Sequence, residues 1–175
     1  QQAFLKDDDW ETFKFKERYK ENLKDQYIAN LLCFMSFIEP NTEDMTIRLP
    51  YKKPKFKIPS LLIHCTTTRR AKMWKKDQWE KVIRWCGDHE TSVGIIGAAP
   101  DKQKEYYNSG TDEDYLLDVF KGKILTNGDS LLSDLRGKTS LIELVGACRQ
   151  AKAVISVDAG PLHIAAASGI PVLAI

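Results

Sequence analysis

Between residues 60 and 175 the chain alternates short unbroken apolar runs with stretches of helical periodicity. Ser60-Leu61-Leu62-Ile63-His64-Cys65, Ser92-Val93-Gly94-Ile95-Ile96-Gly97, Ala153-Val154-Ile155-Ser156-Val157 and Pro171-Val172-Leu173-Ala174-Ile175 have strand length and apolar residues at nearly every position. That is the pattern of strands buried on both faces. From Lys76 onward, Trp79, Val82, Ile83 and Cys86 fall on one side of a helix. Ser140 and Glu143 have capping-box spacing and predict a helix to about Ala151, and His163 to Ser168 predicts a short Ala-rich helix. Residues 101–135 are weakly patterned and predict one or two helices and a short strand around Lys123-Ile124-Leu125. Strands alternating with helices mean parallel βαβ units, so the expected fold is α/β, with a Rossmann-like doubly wound sheet.

The first third of the chain follows a different grammar. Trp10, Phe13, Phe15 and Tyr19 recur at helical spacing among charges, and Tyr27 to Met35 is almost continuously apolar. Residues 1–38 therefore read as helices left over from a preceding domain. Residues 39–59 open with turn formers and carry Pro50, Pro54 and Pro59 between lysines, which predicts a stiff, extended interdomain linker. Residues 60–175 form the sheet-containing domain. The chain starts with helices that lack a sheet and stops at Ile175 inside a strand pattern, so both ends are expected to be cut.

Composition narrows the class. The chain has 175 residues, of which 43% are apolar, enough for a packed core. There is no apolar run of about 18 residues to span a membrane, and the polar, acidic N-terminus does not read as a signal peptide. Cys33, Cys65, Cys86 and Cys148 are scattered in apolar contexts and read as buried thiols of a reducing cytoplasm, not as metal ligands or a redox pair. Net charge is only +2, yet Arg48 to Lys81 holds eleven Lys or Arg against Asp77 and Glu80. Such a surface is either a solvated basic face or one that meets phosphate, on a ligand or on an anionic membrane. Nucleic acid is disfavoured, because Tyr51 and Phe56 are the only rings of the basic linker.

Two segments carry candidate chemistry. Thr66-Thr67-Thr68-Arg69-Arg70-Ala71-Lys72-Met73-Trp74 follows the first strand, where open α/β sheets bind ligands. Its hydroxyls and cations suit a diphosphate, although a capped helix in a basic loop would look similar. Val157-Asp158-Ala159-Gly160-Pro161-Leu162-His163 again follows a strand and opens a helix. Gly160 permits close backbone approach and Pro161 suits a first helical turn. Asp158 alone would be an N-cap and His163 alone a structural histidine; together at a strand's carboxyl end they point to one crevice.

Asp158-x-Gly160-x-x-His163, followed by Ala165-Ala166-Ala167-x-Gly169-x-Pro171-Val172, resembles the signature of glycosyltransferase family 9, the heptosyltransferases of lipopolysaccharide core assembly. The hydroxyl-rich loop ending Lys72-x-Trp74 and the segment Gly137-Lys138-Thr139-Ser140-Leu141-x-Glu143-Leu144 are similar to it as well, in the same order. The resemblance implies the second domain of a two-Rossmann-domain enzyme, the domain that holds the sugar nucleotide. It places Thr67, Thr68 and Lys72 on the diphosphate, Asp158, Ala159 and Gly160 against the donor sugar and phosphates, and His163 in support. It further implies inverting transfer from ADP-heptose to a saccharide or glycolipid acceptor, without metal or cofactor, in the cytoplasm or at the inner face of its membrane. The general base falls to an aspartate of the N-terminal domain, so no catalytic residue is assigned and this chain alone is expected to be inactive. Two departures stand out. Asp101 lies about two positions beyond the place of the family's ribose-binding acid, and Ala159 replaces the usual Ser or Thr. They leave room for a non-catalytic nucleotide-sugar-binding or scaffolding module of the same fold, and a sugar-nucleotide epimerase is a third option.

Overall fold

A computed structural model describes residues 49–68, 70–102 and 111–175. The helices expected over residues 1–38, the linker as far as residue 48, and Cys33 and Arg69 lie outside the described residues. Five strands form one parallel sheet: β1 (Leu61–His64), β2 (Val93–Ile95), β3 (Leu132–Asp134), β4 (Ala153–Ser156) and β5 (Val172–Ala174), in the order β3-β2-β1-β4-β5. The register pairs Leu62 with Gly94 on one side and with Val154 on the other. The helices are α1 (Lys76–Asp88), α2 (Thr111–Val119), α3 (Leu141–Gln150) and α4 (Gly160–Ala167).

Alternation along β1 sorts the core into two layers. Leu61 and Ile63 pack with Trp79, Ile83 and Cys86 of α1 and with Leu116 of α2. Leu62 faces the opposite way, onto Leu144, Ala147 and Cys148 of α3 and Ala165 of α4. Both faces of the central strands are thus buried, which is why their sequences are apolar at nearly every position. The expected α/β, Rossmann-like doubly wound sheet is the observed one. Cys65, Cys86 and Cys148 are buried free thiols.

The region from 101 to 135 holds an expected helix, α2, but its strand departs from expectation. Lys123-Ile124-Leu125 is not a sheet strand: Ile124 makes one isolated antiparallel bridge to Ser130 and is 60% exposed. The chain turns there through Gly128, with φ of 82°, and Leu125 N–H bonds to the Asp129 carbonyl. The strand comes later, at Leu132–Asp134. As an edge strand it is only half buried, so Ser133 and Asp134 break the apolar run that marks the inner strands.

Of residues 49–59, read as the end of a linker, 49–53 are tied to α3. Lys52 N–H bonds to the Ile142 carbonyl at 3.0 Å, and Arg149 of α3 lies over the Tyr51 ring. Gly146 makes this approach feasible, since a Cβ there would sit 2.0 Å from the Lys52 carbonyl oxygen. Gly146→Ala should push the strap off the helix and cost about 1–3 kcal/mol in urea denaturation. An unchanged midpoint would show that the strap yields freely.

Candidate functional site

The loops at the carboxyl ends of β1, β2 and β4, with the start of α3, enclose a crevice of about 770 Å³. One wall is Thr66, Thr67, Thr68 and Lys72. The facing wall is Asp158, Ala159, Gly160 and Pro161, and Thr139 and Ser140 close one end. A volume of this kind suits a nucleotide-sized ligand. A separate, almost wholly apolar groove of about 690 Å³ opens between α1 and strands β1, β4 and β5, walled by Val82, Trp85 and Leu173 among others. It gathers no set of directed polar groups able to orient a phosphate, so the crevice is the candidate site.

Each wall has a local cause. After β1, Thr66 and Thr67 are buried and Thr68 is exposed, and a short 3-10 turn at Arg70–Lys72 brings Lys72 back over the crevice. The hydroxyls do not cap α1: its N-cap is Lys75, without a side-chain bond. On the other wall, α4 begins at Gly160 with Pro161 in its first turn and Ala159 as N-cap, so no side chain satisfies its first amides. Those amides and the helix dipole favour an anion at this end. α3 presents its own start fully capped, with Ser140 and Glu143 bonded reciprocally. The Ser140 backbone N–H and hydroxyl both donate to the Glu143 carboxylate and hold it below its ordinary value.

Six of the seven sequence-expected residues, Thr67, Thr68, Lys72, Asp158, Ala159 and Gly160, line this one crevice. His163 stands beside it, its side chain 75% exposed and its Nε2 3.8 Å from Asp158. Lys72 and Asp158 form a direct ion pair across the crevice, although 86 residues separate them. The lysine holds the Asp158 carboxyl below its usual range. Both side chains are partly exposed, so the pair is weak enough to open for a phosphate. Asp101 is not among the lining residues.

Several buried residues went unpredicted. His64 lines the crevice floor, and burial lowers its pKa to about 4, so it is neutral. Its Nε2 lies 3.4 Å from the Thr66 hydroxyl and its Nδ1 3.5 Å from Ser156 Oγ. Beyond Thr66 stands a charged cluster. Arg136, its side chain 3% exposed, donates to both carboxylate oxygens of Asp134 and to Asp114, each at 2.9 Å. Burial opposes ionisation of Asp134, but the Arg136 bonds outweigh it and keep the carboxyl below its ordinary value. Glu113 is 1% exposed, and burial pushes its pKa up to about 7 against the pull of Arg136 and Thr66. A histidine inside an apolar strand and a glutamate inside an acidic helix carry no signal of this in sequence.

Solved structures similar to this chain include three heptosyltransferases. E. coli WaaC, solved with ADP-2-deoxy-2-fluoro heptose, is 20% identical over 87% of this chain and 46% of its own, with a TM-score of 0.54. E. coli ADP-heptose lipopolysaccharide heptosyltransferase II is 20% identical over 86% of this chain and 37% of its own, TM-score 0.50. The dodecameric iron-containing TibC of enterotoxigenic E. coli, solved with ADP-D-beta-D-heptose, is 26% identical over 74% of this chain and 30% of its own, TM-score 0.52. The chain thus spans less than half the length of each. Comparison with curated protein sequences gives no match. The family profile of glycosyltransferase family 9 (heptosyltransferase) matches residues 34–175. By that match, over most of its length, the chain belongs to glycosyltransferase family 9.

Proposed function

We propose that this chain is the donor-binding part of an inverting glycosyltransferase that transfers heptose from ADP-heptose to a saccharide acceptor of lipopolysaccharide type, at the cytoplasmic face of the membrane. The observation that carries the reading is the convergence of Thr67, Thr68 and Lys72 on Asp158–Gly160 across one crevice. Two of the related structures hold an ADP-heptose or its fluoro analogue. The hydroxyls would orient the diphosphate, and Lys72 would leave Asp158 for it. Lys72 and the uncapped start of α4 would then stabilise the charge that develops on the departing diphosphate, in place of a metal. Asp158, released, would face the sugar hydroxyls. The acceptor and the general base would be held by a preceding domain, with the present sheet as the second of the pair.

The test is nucleotide binding by calorimetry. Lys72→Ala should weaken both ADP and ADP-sugar by about tenfold or more, the worth of a charge-assisted contact. Asp158→Ala removes a competitor for Lys72 as well as a sugar partner, so it should penalise ADP-sugar relative to ADP. Unchanged ADP affinity in Lys72→Ala would refute the site. A binding module without catalysis is the second reading. It is favoured by Ala159 and by the crevice lining, in which Asp158 is the sole carboxylate among the described residues. Turnover of ADP-heptose by a protein that includes the preceding domain decides against it.

A further inference from the structure

The ladder between β2 and β3 continues past the ends of both strands. Leu135 N–H bonds to the Ile95 carbonyl and, two residues on, Gly137 N–H bonds to the Gly97 carbonyl, each at 2.9 Å. At that last rung the chain turns off toward α3 with φ of 69° at Gly137, a conformation open to glycine and strained for other residues. The approach is also closer than a side chain permits. A Cβ on Gly137 would stand 2.7 Å from Ala99 Cβ, 2.8 Å from Ala99 Cα and 3.2 Å from its amide nitrogen. Favourable carbon–carbon contact begins at about 3.5 Å, and two of these three atoms are backbone, so the chain itself would have to move.

Both sides of this rung lead into the candidate site. Gly97 and Ala98 line the crevice, and so do Thr139 and Ser140 on the other loop. The loop after β3 is pinned at each end. The buried Arg136 guanidinium is held by Asp134 and Asp114, and Ser140 is fixed in the α3 capping box. Gly137, Lys138 and Thr139 alone lie between these anchors, and Lys138 N–H closes a turn on the Leu135 carbonyl at 3.2 Å. That segment has little room to back away from Ala99. Across from it Ala98 is exposed and Ala99 is only partly buried. A side chain at Gly137 therefore displaces the loop after β2, which is a wall of the crevice.

We propose that Gly137 is a positioning residue for the donor crevice: without a side chain, it lets the loop after β3 lock onto the loop after β2, and the lock sets the spacing of Gly97–Ala98 from Thr139–Ser140 into which the donor nucleotide fits. The proposal rests on the donor-site reading. It is tested with the full chain, by ADP calorimetry and urea denaturation of Gly137→Ala and Gly122→Ala. Gly122 is outside the crevice lining, has φ of 72°, and nothing lies within 4 Å of a Cβ built there. Alanine at Gly122 thus meets the same backbone strain without the clash. Both variants should lose stability. ADP affinity should fall roughly tenfold in Gly137→Ala, the worth of one hydrogen-bonded contact, and stay at the parent value in Gly122→Ala. In the wild-type chain, ADP should slow hydrogen exchange of the Gly137 amide severalfold, because a ligand seated between the two loops holds their last rung closed. That readout needs no variant and stands even where Gly137→Ala does not fold. Parent affinity in folded Gly137→Ala, an equal loss of affinity in Gly122→Ala, or a Gly137 amide whose exchange ADP leaves unchanged overturns the proposal alone. Wild-type protein that takes up no ADP overturns the donor-site reading and the proposal with it.

Discussion

Arg136→Met should destabilise the sheet domain by about 3–5 kcal/mol at pH 8, the largest single-residue loss expected for this chain. The side chain is 3% exposed and holds three carboxylates from two elements, Asp134 at the end of β3 and Glu113 and Asp114 on α2. Methionine fills most of the volume, so the loss is electrostatic and not a cavity. Asp114 and Asp134 are partly exposed and can turn to water, whereas Glu113 cannot. Removing the cation therefore strands one buried charge, which the chain can relieve only by protonating it. The loss should shrink toward pH 5, where Glu113 is neutral without help. Glu113→Leu combined with Arg136→Met should recover most of the stability, because a buried pair replaced by apolar side chains is often neutral. Urea denaturation of the three variants at pH 5 and 8 checks this; a loss below about 1 kcal/mol at pH 8 would mean that water reaches the cluster.

The same residues show where sequence reading reaches its limit. β1, β2 and β4 were legible because a strand covered on both faces must be apolar throughout, and that requirement is written position by position; β5 was legible because it is apolar at every position although it lies at the sheet edge with Leu173 exposed. β3 was not, because an edge strand needs only one apolar side, and Leu131 and Leu135, the buried residues that flank it, fall outside the strand itself. The Ser140–Glu143 cap was legible because both partners lie within one turn. The crevice walls were legible as loops after strands, since topology alone brings such loops together. What joins the walls was hidden: Lys72 to Asp158 spans 86 residues, and Ser156 to His64 spans 92. Nothing in the composition marks Glu113 and Arg136 as buried, because charge predicts exposure unless the partner is known. The end of the segment rich in lysine and proline packs on α3 through residues 49–53, and the sign of that in sequence is a glycine in the middle of the helix.

Stability of the wild-type protein should be nearly flat between pH 4.5 and 6.5, and two single variants should expose opposite slopes under that plateau. Glu113 titrates at about 7 in the folded chain against 4.5 unfolded, so between those values the folded state holds the extra proton and stability falls as pH rises. His64 titrates at about 4 folded against 6.5 unfolded, so in its window the unfolded state holds the extra proton and stability rises with pH. Each shift corresponds to about 3 kcal/mol, and over the shared window the two cancel. The carboxylates held low by their partners, Glu80, Asp134, Glu143 and Asp158, add a rise of stability with pH at the acid end of the window that parent and variants share. Glu113→Gln should therefore gain stability steadily from pH 4 to 6.5, and His64→Asn should lose it from pH 4.5 to 7. Urea midpoints across pH 4 to 8 read both slopes. Two variants with the flat profile of the parent would show that neither group is buried in the form described. Opposite slopes would show that the groups at and beneath the crevice floor store two compensating protonation costs, one of a neutral histidine and one of a neutral acid.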